Sequence, residues 1–323
     1  FYSGLKEDKW TEKAKGCFDK FFNVSNLNGE EIANLSRKNQ IDIAINCSGH
    51  TDYNQNEAFN YRVSSIQVNY LGYSGTMGDK CHDYIIADKF ILPKEEAPNY
   101  TEKILYLPNC YQANRSKIPI ADSPLSKKDF GLPEGVFVFG CFNNSYKINP
   151  KMFDAWMKIL KKHKNSILWL LNADDCSKNL IKEAIKKKID PKRIIFCERT
   201  SVEIYHSRFK FIDLFLDTYP YSAHTTASIA IRMGVPIITL SGRSFASRVA
   251  GSILSTVGLD ELITKNCKEY IELALKISND ENKLKKLKNH LSNSLNTDKL
   301  FNSKKFTRDL EDIFISLTNK ETR

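Results

Sequence analysis

The sequence predicts an α/β protein built from parallel, doubly wound sheets. From about residue 123 strand-like and helix-like patterns alternate, and several of the strand-like runs are apolar at every position. Such runs indicate strands that are buried on both faces, as in a parallel sheet covered by helices. The length of 323 residues suits two domains of ordinary size.

The second part of the chain gives the clearer pattern. Asn149 followed by Pro150 is typical of a helix start, because Asn caps unpaired N–H groups and Pro fits the first helical turn. The Met and aromatic side chains that follow at helical spacing indicate core rather than a cofactor site. Strands are predicted at 136–139, 166–171, 194–197, 214–217 and 235–240, and further helices at 177–188, 201–208 and 225–234.

The first 120 residues show the same rhythm less completely, with strand-like runs at 41–46 and 66–70 and a helical segment at 30–37. The polar, proline-containing segment 112–135 is interpreted as the connection between domains. A helical tail is predicted at 268–319. We therefore predict an N-terminal lobe at 1–122 and a C-terminal lobe with terminal helices at 123–323.

Composition excludes several classes of protein. No apolar run approaches the ~18 residues of a membrane helix, and the first residues carry no signal-peptide pattern. Eight cysteines without a CxxC pair indicate buried free thiols in a reducing compartment, so we expect a cytoplasmic protein. The chain lacks an initiator Met, which suggests a fragment of a longer protein.

The net charge of +10 allows two interpretations. It could attract a polyanion, or it could reflect lysine-rich, solvated helix faces. Aromatic residues are not interleaved with the lysines as in single-strand binders, so we expect neither a nucleic-acid partner nor a membrane partner. Dinucleotide, P-loop, HExxH and GxSxG motifs are also missing from the sequence.

Two loops that leave predicted strands carry polar residues suited to phosphate. The first loop, residues 142–150, places Lys147 before a helix start, where free N–H groups and the helix dipole favour anions. The second loop, residues 217–226, ends in Thr225 and Thr226 at another helix start. On the residues alone, Lys147 could equally be solvated, the threonines could be simple caps, and His224 could be structural.

At these loops the chain resembles the O-linked N-acetylglucosamine transferase/SPINDLY family, especially its bacterial SPINDLY-like members. The matching stretches run in the same order along nearly the whole chain. They are SGHT at 48–51, QVNYLGYSGTMG at 67–78, DYIIAD at 83–88, FNNSYKINP at 142–150, LDT at 216–218, HTTAS at 224–228, MGVP at 233–236 and FASRVA at 245–250.

The resemblance implies a GT-B fold, in which two Rossmann-like lobes flank a cleft and the C-terminal lobe holds the nucleotide sugar. It implies an inverting transfer of a sugar to Ser or Thr of cytoplasmic and nuclear proteins. UDP-N-acetylglucosamine is the expected donor, with GDP-fucose used by plant SPINDLY. No metal is expected, and upstream tetratricopeptide repeats are expected in the full-length protein.

Site residues are carried over by motif. Lys147, at the diphosphate, and His50, in the first lobe, are the implied catalytic residues. The implied donor-binding residues are Asn144, His224, Thr225 and Thr226 at the phosphates and ribose, and Thr200, Tyr205 and Arg208 around the base. The implied cleft-lining residues of the first lobe are Thr51, Gly72, Tyr73 and Gly75.

Two departures from the family pattern keep an alternative open. Bacterial relatives usually follow HTTAS with an acidic residue that grips the ribose, whereas this chain has Ile229. The resemblance also begins in the middle of the first lobe, without the upstream segment that carries a cleft-facing His. The alternative is therefore a degenerate, non-catalytic nucleotide-binding module of the same fold.

Overall fold

The computed structural model describes residues 1–4, 7–294 and 299–321. The chain forms two compact units, Phe1–Gln112 with Phe306–Arg323 and Ala113–Lys305. Each unit contains one sheet, and all strand pairs within the two sheets are parallel. The predicted α/β class is confirmed, whereas the predicted lobe limits of 1–122 and 123–323 stay a prediction.

The first unit has a four-stranded sheet in the order β1-β2-β3-β4. Its elements are α1 (Lys9–Lys15), α2 (Gly29–Lys38), β1 (Ile43–Asn46), α3 (Asn56–Asn60), β2 (Ile66–Asn69), β3 (Tyr84–Asp88) and β4 (Lys103–Leu107). α2 begins at a reciprocal cap in which the Asn28 side chain accepts from the N–H of Glu31 and the Glu31 carboxylate accepts from the N–H of Asn28. Its apolar face joins a small core around Ile32 and Val63.

The second unit has a six-stranded sheet in the order β10-β9-β8-β5-β6-β7. Its strands are β5 (Phe137–Cys141), β6 (Ser166–Leu171), β7 (Ile194–Cys197), β8 (Leu214–Leu216), β9 (Ile237–Leu240) and β10 (Ile263–Thr264). Its helices are α4 (Pro150–Lys162), α5 (Asp174–Lys186), α6 (Val202–Ser207), α7 (Thr225–Arg232), α8 (Val249–Thr256), α9 (Cys267–Ser278) and α10 (Glu281–Ser294). The last helix, α11 (Ser303–Glu321), belongs mostly to the first unit. Residues 295–298 of the predicted helical tail lie outside the described residues.

The strand order of the second unit creates a switch point. From β5 the chain builds outward to β6 and β7, then returns to the other side of β5 and builds β8, β9 and β10. Parallel sheets of this kind bind ligands at the carboxyl ends of the strands where the direction reverses. The fold therefore places the loops that follow β5 and β8 at the position best suited to a ligand.

Local sequence explains the helix that follows β5. The Asn149 side chain accepts from the backbone N–H of Met152, and Pro150 fills the first helical turn, as predicted. One face of α4 is buried from Met152 to Leu160 and includes the fully buried Trp156. Because α4 is fixed at its first turn, the first loop has a defined end.

The segment that enters the second unit is fastened to two helices of that unit. His206 donates through Nδ1 to the carbonyl of Pro119 at 2.7 Å, and the Ser207 hydroxyl accepts from the N–H of Ala121 at 2.8 Å. At the end of α7, Arg232 donates to the carbonyl of Arg115 at 2.6 Å. These contacts attach residues 115–121 to α6 and α7.

All eight cysteines are free thiols, as predicted. The prediction that most are buried is wrong, since only Cys110, Cys141 and Cys197 are buried while Cys17 and Cys47 are exposed. Two of the three buried thiols end strands of the larger sheet, and apolar strand packing accounts for their burial. Of the helices that the structure describes, none combines the length and the apolarity needed to cross a bilayer.

Candidate active site

The first and second loops meet at the switch point. The Asn143 amide donates to the Asp217 carboxylate at 3.0 Å and to the Thr218 hydroxyl at 2.7 Å. Lys147 Nζ donates to the carbonyl of Ser222 at 2.9 Å. The structure thus joins the two loops that the sequence identified separately as suited to phosphate.

Lys147 lies in a 3₁₀ turn, Ser145–Lys147, and is partly buried. Its Nζ lies 3.7 Å from the centroid of the Tyr221 ring, close enough for a cation–π contact. Burial lowers the pKa of Lys147, while the Asp217 carboxylate acts in the opposite direction. The ammonium is therefore poorly hydrated, and a poorly hydrated cation attracts an anionic ligand more strongly than a solvated one.

Asp217 lies at the end of β8 with no exposed surface. Besides the Asn143 amide, it accepts hydrogen bonds of 2.7 Å from the N–H groups of Thr218 and Ala223 and from the Thr239 hydroxyl. Burial raises the pKa of Asp217 to about 6, although these hydrogen bonds favour the carboxylate. The hydrogen bonds from Thr218 and Ala223 fold the second loop back onto its own first residue.

His224 precedes α7 and faces the same region. Burial, together with the smaller effect of the Lys147 ammonium, lowers the pKa of His224 to about 4. The imidazole is therefore neutral at neutral pH, and its single N–H, on Nε2, donates to the carbonyl of Ala246 at 3.4 Å, which leaves Nδ1 as an acceptor. Beside it, Thr225 is exposed and Thr226 is partly buried at the start of α7, where the first N–H groups have no partner within the helix.

A cavity of about 370 Å³ lies nearby in the second unit. Its lining residues are Leu125, Asp129, Phe130, Phe196, Cys197, Glu198, Thr200, Ile204 and Arg208. The buried Arg208 donates to the carbonyl of Glu198 at 3.0 Å, and its guanidinium lies 4.6 Å from the Tyr205 ring centroid. Its Nε and Nη2 have no hydrogen-bond partner among the described residues, so two buried donors are available beside the cavity.

Tyr205 connects this cavity to the loops, because it hydrogen-bonds with Thr226 and contacts Arg208. Among the predicted residues of the second unit, Lys147 and His224 both contact Tyr221, while Tyr205 contacts Arg208 and interacts with Thr226 at the start of α7. The residues brought together are Lys147, His224, Thr226, Tyr205, Arg208 and Thr200. Asn144 is exposed, and its backbone carbonyl accepts from the N–H of Lys147. The roles predicted for all these residues, including Thr225, stay predictions.

The predicted residues of the first unit form a separate group. His50 is exposed, donates through Nε2 to the carbonyl of Met77 at 3.0 Å and contacts the Tyr73 ring edge to face at 5.0 Å. The Thr51 hydroxyl donates to the carbonyl of Ser48 at 2.7 Å. The structure therefore places His50 and Thr51 in the loop after β1 and brings Tyr73, from the loop after β2, against His50, and their roles stay predictions.

The loop of Gly72 and Gly75 is packed closely in the first unit. A Cβ on Gly72 would lie 1.8 Å from the carbonyl oxygen of Cys47, and a Cβ on Gly75 would lie 3.0 Å from the Tyr73 ring. The buried Glu102 carboxylate accepts from the N–H of Met77 at 2.8 Å and closes the far end of this loop. Gly72 is therefore required by a close approach of two backbone segments.

Sequence reasoning missed the residues that join the loops, namely Asn143, Asp217, Tyr221 and Ser222. The available signal was an acidic residue directly after the apolar run of β8, since a charged side chain is rarely buried without partners. Among the described residues, no group of three or more His, Cys, Asp or Glu side chains could hold a metal ion.

A comparison with known families decides the affiliation of the chain. The profile of glycosyl transferase family 41 matches residues 5–118 and 112–310. The chain belongs to glycosyltransferase family 41. The resemblance drawn from the sequence motifs is thereby confirmed.

Two curated plant proteins are similar to this family 41 chain. It is 34% identical over 318 residues to Arabidopsis thaliana SEC, and 29% identical over 302 residues to SPINDLY of Solanum lycopersicum. Both are named as probable UDP-N-acetylglucosamine–peptide N-acetylglucosaminyltransferases. The matches cover 96% and 91% of this chain but 32% of each relative, so the chain spans about a third of their length.

A solved structure agrees with this affiliation. A mutant of Thermobaculum terrenum O-GlcNAc transferase superposes with a TM-score of 0.88 at 30% identity. The superposition covers 97% of the family 41 chain and 59% of the bacterial chain. This likeness confirms the predicted GT-B class.

The raised pKa of Asp217 predicts a pH-dependent stability difference. The folded state prefers the protonated carboxyl of Asp217. The contribution of this group to the free energy of unfolding is therefore fully present below pH 3.8 and is lost as pH rises through about 6. Relative to Asp217→Asn, whose amide does not titrate, the wild-type free energy of unfolding should fall by about 2 kcal/mol between pH 4 and 7. Urea unfolding of both proteins across this range measures it, and a pH-independent difference would contradict it.

The close approach at Gly72 predicts a second stability effect. Gly72→Ala should lower the free energy of unfolding by about 1–3 kcal/mol, because the new Cβ collides with the Cys47 carbonyl. Gly16→Ala is the matched control, since its Cβ would meet only an ordinary contact at 3.7 Å. Thermal unfolding compares the two variants, and equal melting temperatures would refute the expected strain.

Proposed function

We propose that this chain is the catalytic part of an inverting protein O-glycosyltransferase. It moves N-acetylglucosamine or another hexose from a nucleotide diphosphate sugar to the hydroxyl of Ser or Thr in a protein. The observation that carries the proposal is the partly buried Lys147 ammonium, held against the second loop beside the start of α7. A diphosphate needs both of these features, a fixed cation and a set of unpaired N–H groups.

Electrostatics makes this arrangement effective in the leaving-group step. An ammonium about 4 Å from a phosphate oxygen gains about 4 kcal/mol at an effective dielectric near 20. The acceptor hydroxyl forms a bond to the anomeric carbon while the bond to the diphosphate oxygen breaks, so negative charge grows on the diphosphate. Lys147 and the N–H groups of Thr225 and Thr226 stabilise that growing charge, which favours the transition state over the bound substrate.

Neutral His224 and buried Arg208 support the donor in different ways. With its N–H directed at the Ala246 carbonyl, the neutral imidazole can accept through Nδ1 from a ribose hydroxyl and adds no charge beside Lys147. The free Nε and Nη2 donors of Arg208 suit the acceptor atoms of a nucleobase, and Tyr205 and Thr200 complete that pocket. We assign Asn144 to the phosphates, and His50 with Thr51, Gly72, Tyr73 and Gly75 to the sugar and acceptor side.

The donor proposed is UDP-N-acetylglucosamine, as the names of the plant relatives suggest for those proteins. The chemistry is proposed to be metal-independent, with Lys147 and the start of α7 in the place of a cation. A cytoplasmic location is proposed because all eight thiols are free. We further propose a longer parent protein with upstream tetratricopeptide repeats, which is compatible with relatives about three times as long.

One observation favours a second candidate function. Ile229 lies on α7 with 8% of its surface exposed, where the family resemblance expects a ribose-binding carboxylate. Losing hydrogen bonds to a charged group costs about 1.5–3 kcal/mol each, which weakens donor binding about tenfold to a hundredfold. A degenerate module that binds nucleotide without turnover is the consequence if no other group replaces that carboxylate.

The proposal predicts a strong effect at Lys147. Lys147→Ala should reduce kcat by about 1,000-fold while the protein stays folded, because the charge that stabilises the leaving diphosphate is lost. Lys151→Ala, four residues further on and exposed, is the matched control and should keep the wild-type rate. Mass spectrometry of an acceptor peptide after incubation with nucleotide sugars measures transfer, and near-wild-type kinetics for Lys147→Ala would refute its role.

Calorimetry separates the transferase from the degenerate module. We expect UDP to bind more tightly than GDP, and transfer to continue unchanged in excess EDTA because no metal takes part. Binding of a nucleotide without turnover of any donor would favour the degenerate module. Binding of neither nucleotide would reject the donor site itself, and a loss of rate in EDTA would reject metal independence.

A further inference from the structure

We propose that Asp217 is a positioning residue for the transfer step, which closes the second loop and supplies the negative charge that keeps the Lys147 ammonium directed at the donor phosphates. This inference rests on the proposed function. Asp217 lies in the buried layer behind the loop, and we assign it no contact with the donor. It acts on the reaction through Lys147.

The first argument is the geometry of the loop. The hydrogen bonds from the N–H groups of Thr218 and Ala223 bring both ends of the turn onto one carboxylate oxygen, Oδ1, each at 2.7 Å. The carbonyl of Ser222, one residue before Ala223, is the acceptor that Lys147 Nζ contacts at 2.9 Å. Asp217 therefore sets the direction of the carbonyl that holds the ammonium.

The loop is also fixed from its other side. The N–H and the hydroxyl of Ser222 both donate to the carbonyl of Ala246, at 3.0 and 2.8 Å. Ser222 is thus held by Ala246 on one side, while its neighbour Ala223 is held by Asp217 on the other. With the backbone fixed at both points, the carbonyl of Ser222 has little freedom to turn away from Lys147.

The second argument is charge. The titratable groups that act on the pair are Cys141 on β5, Tyr270 on α9 and His224 before α7. Burial raises the pKa of Cys141 and of Tyr270, and burial lowers that of His224, so all three are neutral at neutral pH. Among the described groups that act on Lys147, Asp217 is therefore the one that carries a negative charge, and this charge favours the ammonium form of Lys147.

A purely structural role explains the hydrogen bonds but leaves the charge unexplained. An Asn side chain has one oxygen that can accept from Thr218 and Ala223, and it would avoid the desolvation of a buried carboxylate. A buried carboxylate is tolerated best when an opposite charge lies near it. Lys147 is bound to the carbonyl of Ser222, next to the Ala223 N–H that Asp217 holds, and the carboxylate favours its ammonium form.

Asp217→Asn tests the inference. We expect kcat to fall at least tenfold at pH 8 with KM changed less than about threefold, and the alkaline limb of the kcat profile to move to lower pH. A second readout does not depend on activity. The ¹³C resonances of the Lys147 side chain, assigned with Lys147→Ala, should titrate at lower pH in Asp217→Asn than in wild type.

Asp213→Asn is the matched control. It makes the same chemical change just before β8, where the Asp213 carboxylate accepts from the N–H of Val138 and pairs with Lys288 away from the loops. Both the kcat profile and the Lys147 titration should match the wild type. A shift of the same size in Asp213→Asn would overturn the assignment to Asp217.

Thr239→Val decides the question if Asp217→Asn does not fold. It removes the hydroxyl that donates to Asp217 and keeps the charge, so the carboxylate should titrate at higher pH and the acid limb of the kcat profile should move upward. An unmoved acid limb would overturn the inference. In Asp217→Asn, an equal loss of kcat at every pH with an unchanged Lys147 titration would also overturn it, because that result describes a structural role.

Failure of the proposed function has a different signature. A wild-type protein that transfers no sugar from any nucleotide donor would reject the transferase assignment, while the Lys147 titration would still decide whether Asp217 controls the ammonium. The two hypotheses therefore fail on separate measurements.

Discussion

The hydrogen bonds around the Asp217 carboxylate are the constraint on which the rest of the site depends. They tie together the end of β8, the loop after β5 and the hydroxyl of Thr239 on β9, three segments that come from both sides of the strand reversal. A parallel sheet brings the ends of these strands to one edge, but it does not fix the loops beyond them. The hydrogen bonds to the buried Asp217 carboxylate fix the positions of these loops.

The electrostatics of the second unit follows from burial more than from the number of charges. The surface carries most of the lysines, while the site uses one ammonium whose hydration is restricted and one imidazole held neutral. In such an environment a single charge acts more strongly than several solvated ones. The net charge of +10 is therefore a poor guide to function, and the local environment of Lys147 is the informative feature.

The sequence predicted the parts of the fold that depend on local pattern. The apolar runs at 166–171 and 194–197 are strands with the predicted limits, because a strand covered on both faces is apolar at every position. The short strand pair of the first unit, β3 and β4, was not predicted as strands, since partly polar runs carry a weaker periodicity. The two loops were identified from their residues and from the family resemblance. The hydrogen bond between Asn143 and Asp217 spans 74 positions, and no local spacing rule anticipates such a contact.

The hydrogen bonds that attach residues 115–121 to α6 and α7 determine where the second unit can be separated from the rest of the chain. The side chains of His206 and Ser207 form hydrogen bonds with the backbone of Pro119 and Ala121. In the sequence, His206 and Ser207 lie directly between Tyr205 and Arg208. A chimera junction at residue 122 would remove those partners from α6, which lies beside the cavity lined by Thr200, Ile204 and Arg208. A junction before Ala113 would keep all of these contacts, because the second compact unit begins with its connecting segment rather than with its first strand.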